Sequence, residues 1–146
     1  MLDLLYHMFT CNTNHNFTKL LKERGVRPTQ KRLYLLELLH TLAPASADDL
    51  FAATKGKVDR VTVYRTLHAL EECGVLQRVD ISSSKRMYEL SVHHAHYVVC
   101  THCGAHEMLS HCSLEHAEKI VVKKVKIFAH IDGHSLHFFG VCKKCV

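Results

Sequence analysis

The chain has 146 residues, 47% of them apolar and 23% charged, and a formal net charge of +5. This composition excludes a disordered chain, and the length allows one medium domain or two small ones. No apolar run approaches the roughly 18–20 residues of a membrane span, while the moderate basic bias admits an anionic partner.

Seven cysteines include two C-x-x-C pairs, Cys100/Cys103 and Cys142/Cys145, leaving Cys11, Cys73 and Cys112 outside them. An odd total with metal-type spacing points to the reducing cytoplasm, not to a disulfide framework. Fourteen histidines stand mostly after residue 93, dividing the chain into a basic front and a His/Cys-rich back.

In chain order, residues 1–15 read as a flexible N-terminal arm with weak periodicity. Asn16 can cap a helix from Phe17 to Arg24, which Gly25 closes. Thr29 caps a second helix to about Leu42, with Leu35, Leu36, Leu39 and Leu42 as its apolar stripe. Ser46 and Asp49 spell a capping box opening a third helix that runs to Thr54.

A fourth helix, about Asp59 to Cys73, repeats Val63, Leu67 and Leu70 toward a core and leaves Arg60, Thr62, Tyr64 and Arg65 on or beside its open side. Val75–Asp80 and Arg86–Leu90 then read as a β-hairpin. Short helices followed by a hairpin describe a winged helix, whose last helix enters the major groove of DNA. Arg27, Lys31 and other cations gathered before that helix suit phosphates. Thr62, Tyr64 and Arg65 have the chemistry to meet base edges.

Behind a hinge at 91–93, His96–Cys100 and Ala105–Leu109 read as paired strands about the first C-x-x-C. Ser113 caps a helix of about Leu114 to Val125, with Leu114, Ala117 and Val121 facing inward. Lys126–Ile131 and His134–Val141 follow as two more strands. The last returns Cys142 to the first pair. Cys100, Cys103, Cys142 and Cys145 are thus expected to form one structural four-thiolate Zn²⁺ site. The 38 residues between the pairs make it the staple of a subdomain, not of a small finger. The fold class is α+β, with the winged helix at residues 16–90 and a small α/β domain at 94–146.

Several of these stretches coincide with one family's motifs. Arg27-x-Thr29-x-x-Arg32, Val61-Thr62-Val63-Tyr64-Arg65, Gly74-Val75-Leu76, Tyr88-Glu89-Leu90, the histidine cluster, the two thiol pairs and His134-x-Leu136 together resemble the ferric uptake regulator family over residues 17–146. The resemblance implies a homodimeric, metal-activated transcriptional repressor and makes 94–146 the dimerisation and metal-binding domain. It also implies an AT-rich inverted-repeat operator in double-stranded DNA and places base reading on Tyr64 and Arg65. Counted from the thiol pairs, it puts a sensory metal on His94, His96, Glu115 and His134. That set suits regulatory Zn²⁺, with Fe²⁺ or Mn²⁺ as the other candidates.

A second sensory site of the family, at the junction of the two domains, falls on Glu89, His93 and Glu107. There the chain departs from the pattern, having no His near Pro44 and Glu107 one place early. A His at position 96, where an Asp is usual, resembles the zinc uptake regulators, so the expected function is a zinc-favouring repressor of metal homeostasis. The alternative is a thiol- or peroxide-based redox regulator of the same family. No H-E-x-x-H occurs, and no enzymatic activity is expected.

Overall fold

The computed structural model describes residues 16–81, 84–92, 95–109, 117–131 and 134–146. The proposed N-terminal arm, His93, His94, Cys112, Ser113, Leu114 and Glu115 lie outside them. The chain divides into two units at the 93/94 boundary.

In the first unit, local chemistry sets the element ends. The Asn16 side chain accepts the Lys19 N–H and opens α1 (Phe17–Glu23). The Thr29 hydroxyl accepts from Arg32 at the start of α2 (Gln30–Leu42). A two-residue strand, β1 (Ala45–Ser46), leads into α3 (Ala47–Ala53), whose complete capping box joins Ser46 and Asp49. Asp59 caps α4 (Arg60–Glu72), and β2 (Leu76–Val79) pairs antiparallel with β3 (Met87–Leu90) in the register Arg78↔Tyr88.

Sequence periodicity did not reveal β1. It is too short to show alternation, yet it pairs with β3 through Ala45↔Tyr88 and makes the sheet three-stranded, in the order β1-β3-β2. Leu21, Leu35, Leu36, Leu39, Leu50, Val63, Leu67, Leu70 and Leu90 fill the core between helices and sheet. Each such side chain contributes about 1.5–3 kcal/mol by leaving water. Leu42, expected in the α2 stripe, is instead exposed at the helix end.

The second unit is a sheet in the order β5-β4-β6. β4 (His96–Cys100) pairs antiparallel with β5 (His106–Leu109) and parallel with β6 (His137–Gly140). α5 (Ala117–Val122) buries none of its residues, and Val121, expected to face inward, is 45% exposed. The strand expected at Lys126–Ile131 does not form: these residues pair with no strand of the sheet, and Ile127 is 88% exposed. The expected His134–Val141 strand is shorter, beginning at His137.

Candidate metal centres and nucleic-acid face

The parallel pairing of β6 with β4 brings Gly140 opposite Cys100, so the two C-x-x-C turns emerge side by side. The Thr101 amide donates to the Gly140 carbonyl at 2.8 Å, and the Gly104 amide to the Cys100 carbonyl at 2.9 Å. Gly104, at φ +73°, takes the left-handed step that closes the first turn. Ligand atoms of Cys100, Cys103, Cys142 and Cys145 all lie within 4.8 Å of one another. Among the described residues, no other group of three or more His, Cys, Asp or Glu converges so closely.

The Cys103 and Cys142 sulfurs are 3.7 Å apart. That is too far for a disulfide but matches the separation of about 3.8 Å that tetrahedral Zn–S bonds of about 2.3 Å demand. The Cys142 N–H donates to the Cys100 sulfur at 3.3 Å. This bond, and then the Cys103 N–H, pull the Cys100 thiol down to about 6. Hydrogen bonds with the Cys142 and Cys103 thiols push Cys145 up to about 12. Four sulfurs this close resist collecting negative charge without a cation, and the donor set suits zinc.

A second cluster gathers at the other end of β4. His96 is buried, its ring stacks on that of His134 with centroids 4.9 Å apart, and their Nε2 atoms are 3.2 Å apart. Two nitrogens bound tetrahedrally at about 2.05 Å would stand about 3.3 Å apart. Glu118 of α5 binds His134 through Nδ1, the nitrogen facing away from His96. Glu118 therefore meets the back of an imidazole whose front faces the second histidine, the usual place for an orienting carboxylate. His94 and Glu115, expected here, lie outside the described residues. Glu118 was missed, although it falls within the helix expected over Leu114 to Val125.

Two residues of the expected junction site are described. In the first unit Glu89 is buried on β3 and accepts a 2.7 Å bond from Gln77 Nε2. In the second, Glu107 is exposed on β5. His93 lies outside the described residues.

On α4, burial of Val63, Thr66, Leu67 and Leu70 turns Arg60, Val61, Tyr64 and Arg65 outward. Thr62 is drawn back into the helix cap: its hydroxyl donates to Asp59 Oδ2 at 2.6 Å. Arg60 and Tyr64 share one acceptor, Asp48 Oδ1 on α3, at 3.3 and 3.1 Å. The Arg60 guanidinium also lies 5.0 Å from the Phe51 ring centre. Arg65 is exposed and has no polar partner among the described residues. Arg27 and Lys31 are exposed at the approach to and start of α2, while Lys85 of the hairpin reaches Asp49 at 3.8 Å. Sequence reasoning missed Asp48, a side chain that only the packing of α3 on α4 brings to the face, and Val61, an apolar residue left exposed there.

Residues 23–139 match the family model of the Ferric uptake regulator family. The chain belongs to that family. Its members are dimeric, metal-responsive DNA-binding repressors. The chain is 30% identical over 131 residues to the ferric uptake regulation protein of Yersinia pestis, covering 86% of this chain and 87% of that one. It is 28% identical over 134 residues to the peroxide operon regulator of Bacillus subtilis, covering 86% and 88%. Among solved structures, the Vibrio cholerae ferric uptake regulator superposes with a TM-score of 0.67 at 29% identity, over 87% of this chain and all of that one. Its winged helix, small α/β domain and four-cysteine cluster make this chain an α+β protein of that fold.

Proposed function

We propose that the protein is a cytoplasmic, zinc-favouring repressor of metal-homeostasis genes, working as a homodimer on an AT-rich inverted repeat. Residues 16–90 are its DNA-binding domain, 91–93 its hinge and 94–146 its dimerisation and metal-binding domain. The observation that carries the reading is the His96–His134 pair, with Nε2 atoms 3.2 Å apart and Glu118 behind His134. A nitrogen-rich set of this kind suits zinc better than the harder, oxygen-rich sets that manganese favours.

A bound divalent cation supplies a cross-link between segments that no covalent bond joins. His96 and His134 would hold it, with His94 and Glu115 completing the set, while Cys100, Cys103, Cys142 and Cys145 hold a separate structural zinc. Glu89, His93 and Glu107 would form a second sensory site. Ligand binding shifts the dimer toward DNA only insofar as the DNA-competent arrangement holds the metal more tightly. Arg27, Lys31 and Arg60 then meet phosphates, and Tyr64 and Arg65 approach the bases, while Thr62 lies beside them with its hydroxyl held by Asp59.

Titration of chelator-washed dimer with buffered Zn²⁺, anaerobic Fe²⁺ or Mn²⁺ against a fluorescent AT-rich inverted repeat tests this at fixed salt. Zn²⁺ alone switching binding on supports the zinc reading, and a response confined to Fe²⁺ or Mn²⁺ overturns it. The likeness to a peroxide operon regulator favours a second reading, in which oxidation of the thiol pairs releases DNA. Loss of binding with peroxide that a thiol reductant reverses would support it.

A further inference from the structure

Tyr64 and Arg60 are outward residues of α4, yet neither faces solvent unattached. Both are tied to a single carboxylate oxygen of Asp48, in the first turn of α3, with the Tyr64 hydroxyl at 3.1 Å and Arg60 Nη1 at 3.3 Å. An ionised carboxylate is acceptor-only, so the phenol must donate its one proton to it. The same bond, the largest influence on the group, raises the Tyr64 phenol above its ordinary value and keeps it protonated. What remains on the phenol oxygen is lone pairs.

Resting on the DNA-binding reading, we propose that Asp48 is a specificity-determining positioning residue: by taking the Tyr64 proton, it makes Tyr64 an acceptor toward the major groove. In that groove adenine N6 and cytosine N4 are donors, whereas guanine O6 and thymine O4 are acceptors. Tyr64 so held selects an amino group and rejects a carbonyl. The Phe51 ring and Asp48 together fix the Arg60 guanidinium, which leaves it suited to a phosphate more than to a base edge. Arg65, with no intramolecular polar partner among the described residues, keeps all five donors for the groove.

The test uses full-length, metal-loaded protein. Duplexes selected from a random library by the wild type are varied one base pair at a time, and affinities are measured for wild type, Asp48→Ala, Tyr64→Phe and the double variant. At the base pair where Tyr64→Phe loses preference, the wild type should favour the amino-bearing base by about 5- to 150-fold, the range of a good polar base contact. Asp48→Ala should lose or invert that preference, since its freed hydroxyl can donate to a carbonyl. The double variant should behave as Tyr64→Phe alone. A uniform loss of affinity on every duplex, or an unchanged preference in Asp48→Ala, overturns the proposal while leaving DNA binding intact. If the wild type selects no sequence at all, the DNA-binding reading falls and takes this proposal with it. Thermal melts of each variant identify any loss caused by unfolding.

Discussion

On the proposed assignment, Glu118 and Cys142 would serve a metal in two different ways. Glu118 touches the far nitrogen of His134, so removing its charge leaves the metal-facing nitrogens in place but loosens the ring that carries one of them. Glu118→Gln is expected to weaken the regulatory metal about 10- to 100-fold, the usual cost of losing an outer partner. His134→Ala should abolish that site, and in both variants the tightly held zinc stays at one per chain. Competition with a chromophoric chelator measures this; an unchanged affinity in Glu118→Gln would leave that carboxylate no part in the site. Cys142 acts on folding itself. Its N–H and sulfur both contact the other thiols, and a structural zinc is worth on the order of 10 kcal/mol to a domain of this kind. Cys142→Ser should therefore release the structural zinc and unfold the second unit, seen as lost zinc and collapsed amide dispersion in NMR.

Among the elements, those of the first unit were the more legible because their ends are written in side chains. Asn16, Thr29 and Ser46 each cap the helix expected after them, and Asp59, expected as the first residue of the fourth helix, is its cap. Asp59 also gives α4 a pH signature. The Thr62 hydroxyl and then the Thr62 N–H hold its carboxyl below the ordinary value of 3.8. A depressed carboxylate contributes stability that is complete above its unfolded value and fades as pH falls through the folded one. Asp59→Ala should therefore melt below wild type at pH 7, with the gap closing as pH drops below about 4. A gap independent of pH would show that the charge plays no part. The second unit was less legible because its patterns answer to contacts outside sequence order. Apolar alternation over 126–131 imitates a strand but pairs with none in the sheet, and Glu118 gains meaning only when α5 brings it to His134. The paired cysteines were readable because two residues at fixed spacing suffice to define half a tetrahedron.

Over the whole molecule, the two units differ in how well each satisfies itself. The first encloses a continuous core. Among the described residues, the second leaves Ile120, Val121, Ile127, Phe128, Phe138, Phe139 and Val141 exposed within a single chain, against a buried set of His96, Tyr97, Val99 and Cys100. So much apolar surface on so small a unit is uncharacteristic of a monomer and suits the dimeric habit of the family. Wild-type protein should sediment at twice the 16.7 kDa chain mass. Ile127→Glu and Phe139→Glu place charges on the two most exposed of these side chains, where no intrachain core is disturbed. Either change should shift sedimentation to the monomer while the four-cysteine site keeps its zinc. If the operator is the proposed inverted repeat, a monomer forfeits the effective concentration that joins its half-sites, and operator affinity should fall by 100-fold or more. A variant that stays dimeric with full affinity would move the interface away from these residues, whereas a monomer that still binds at full strength would refute the two-half-site reading.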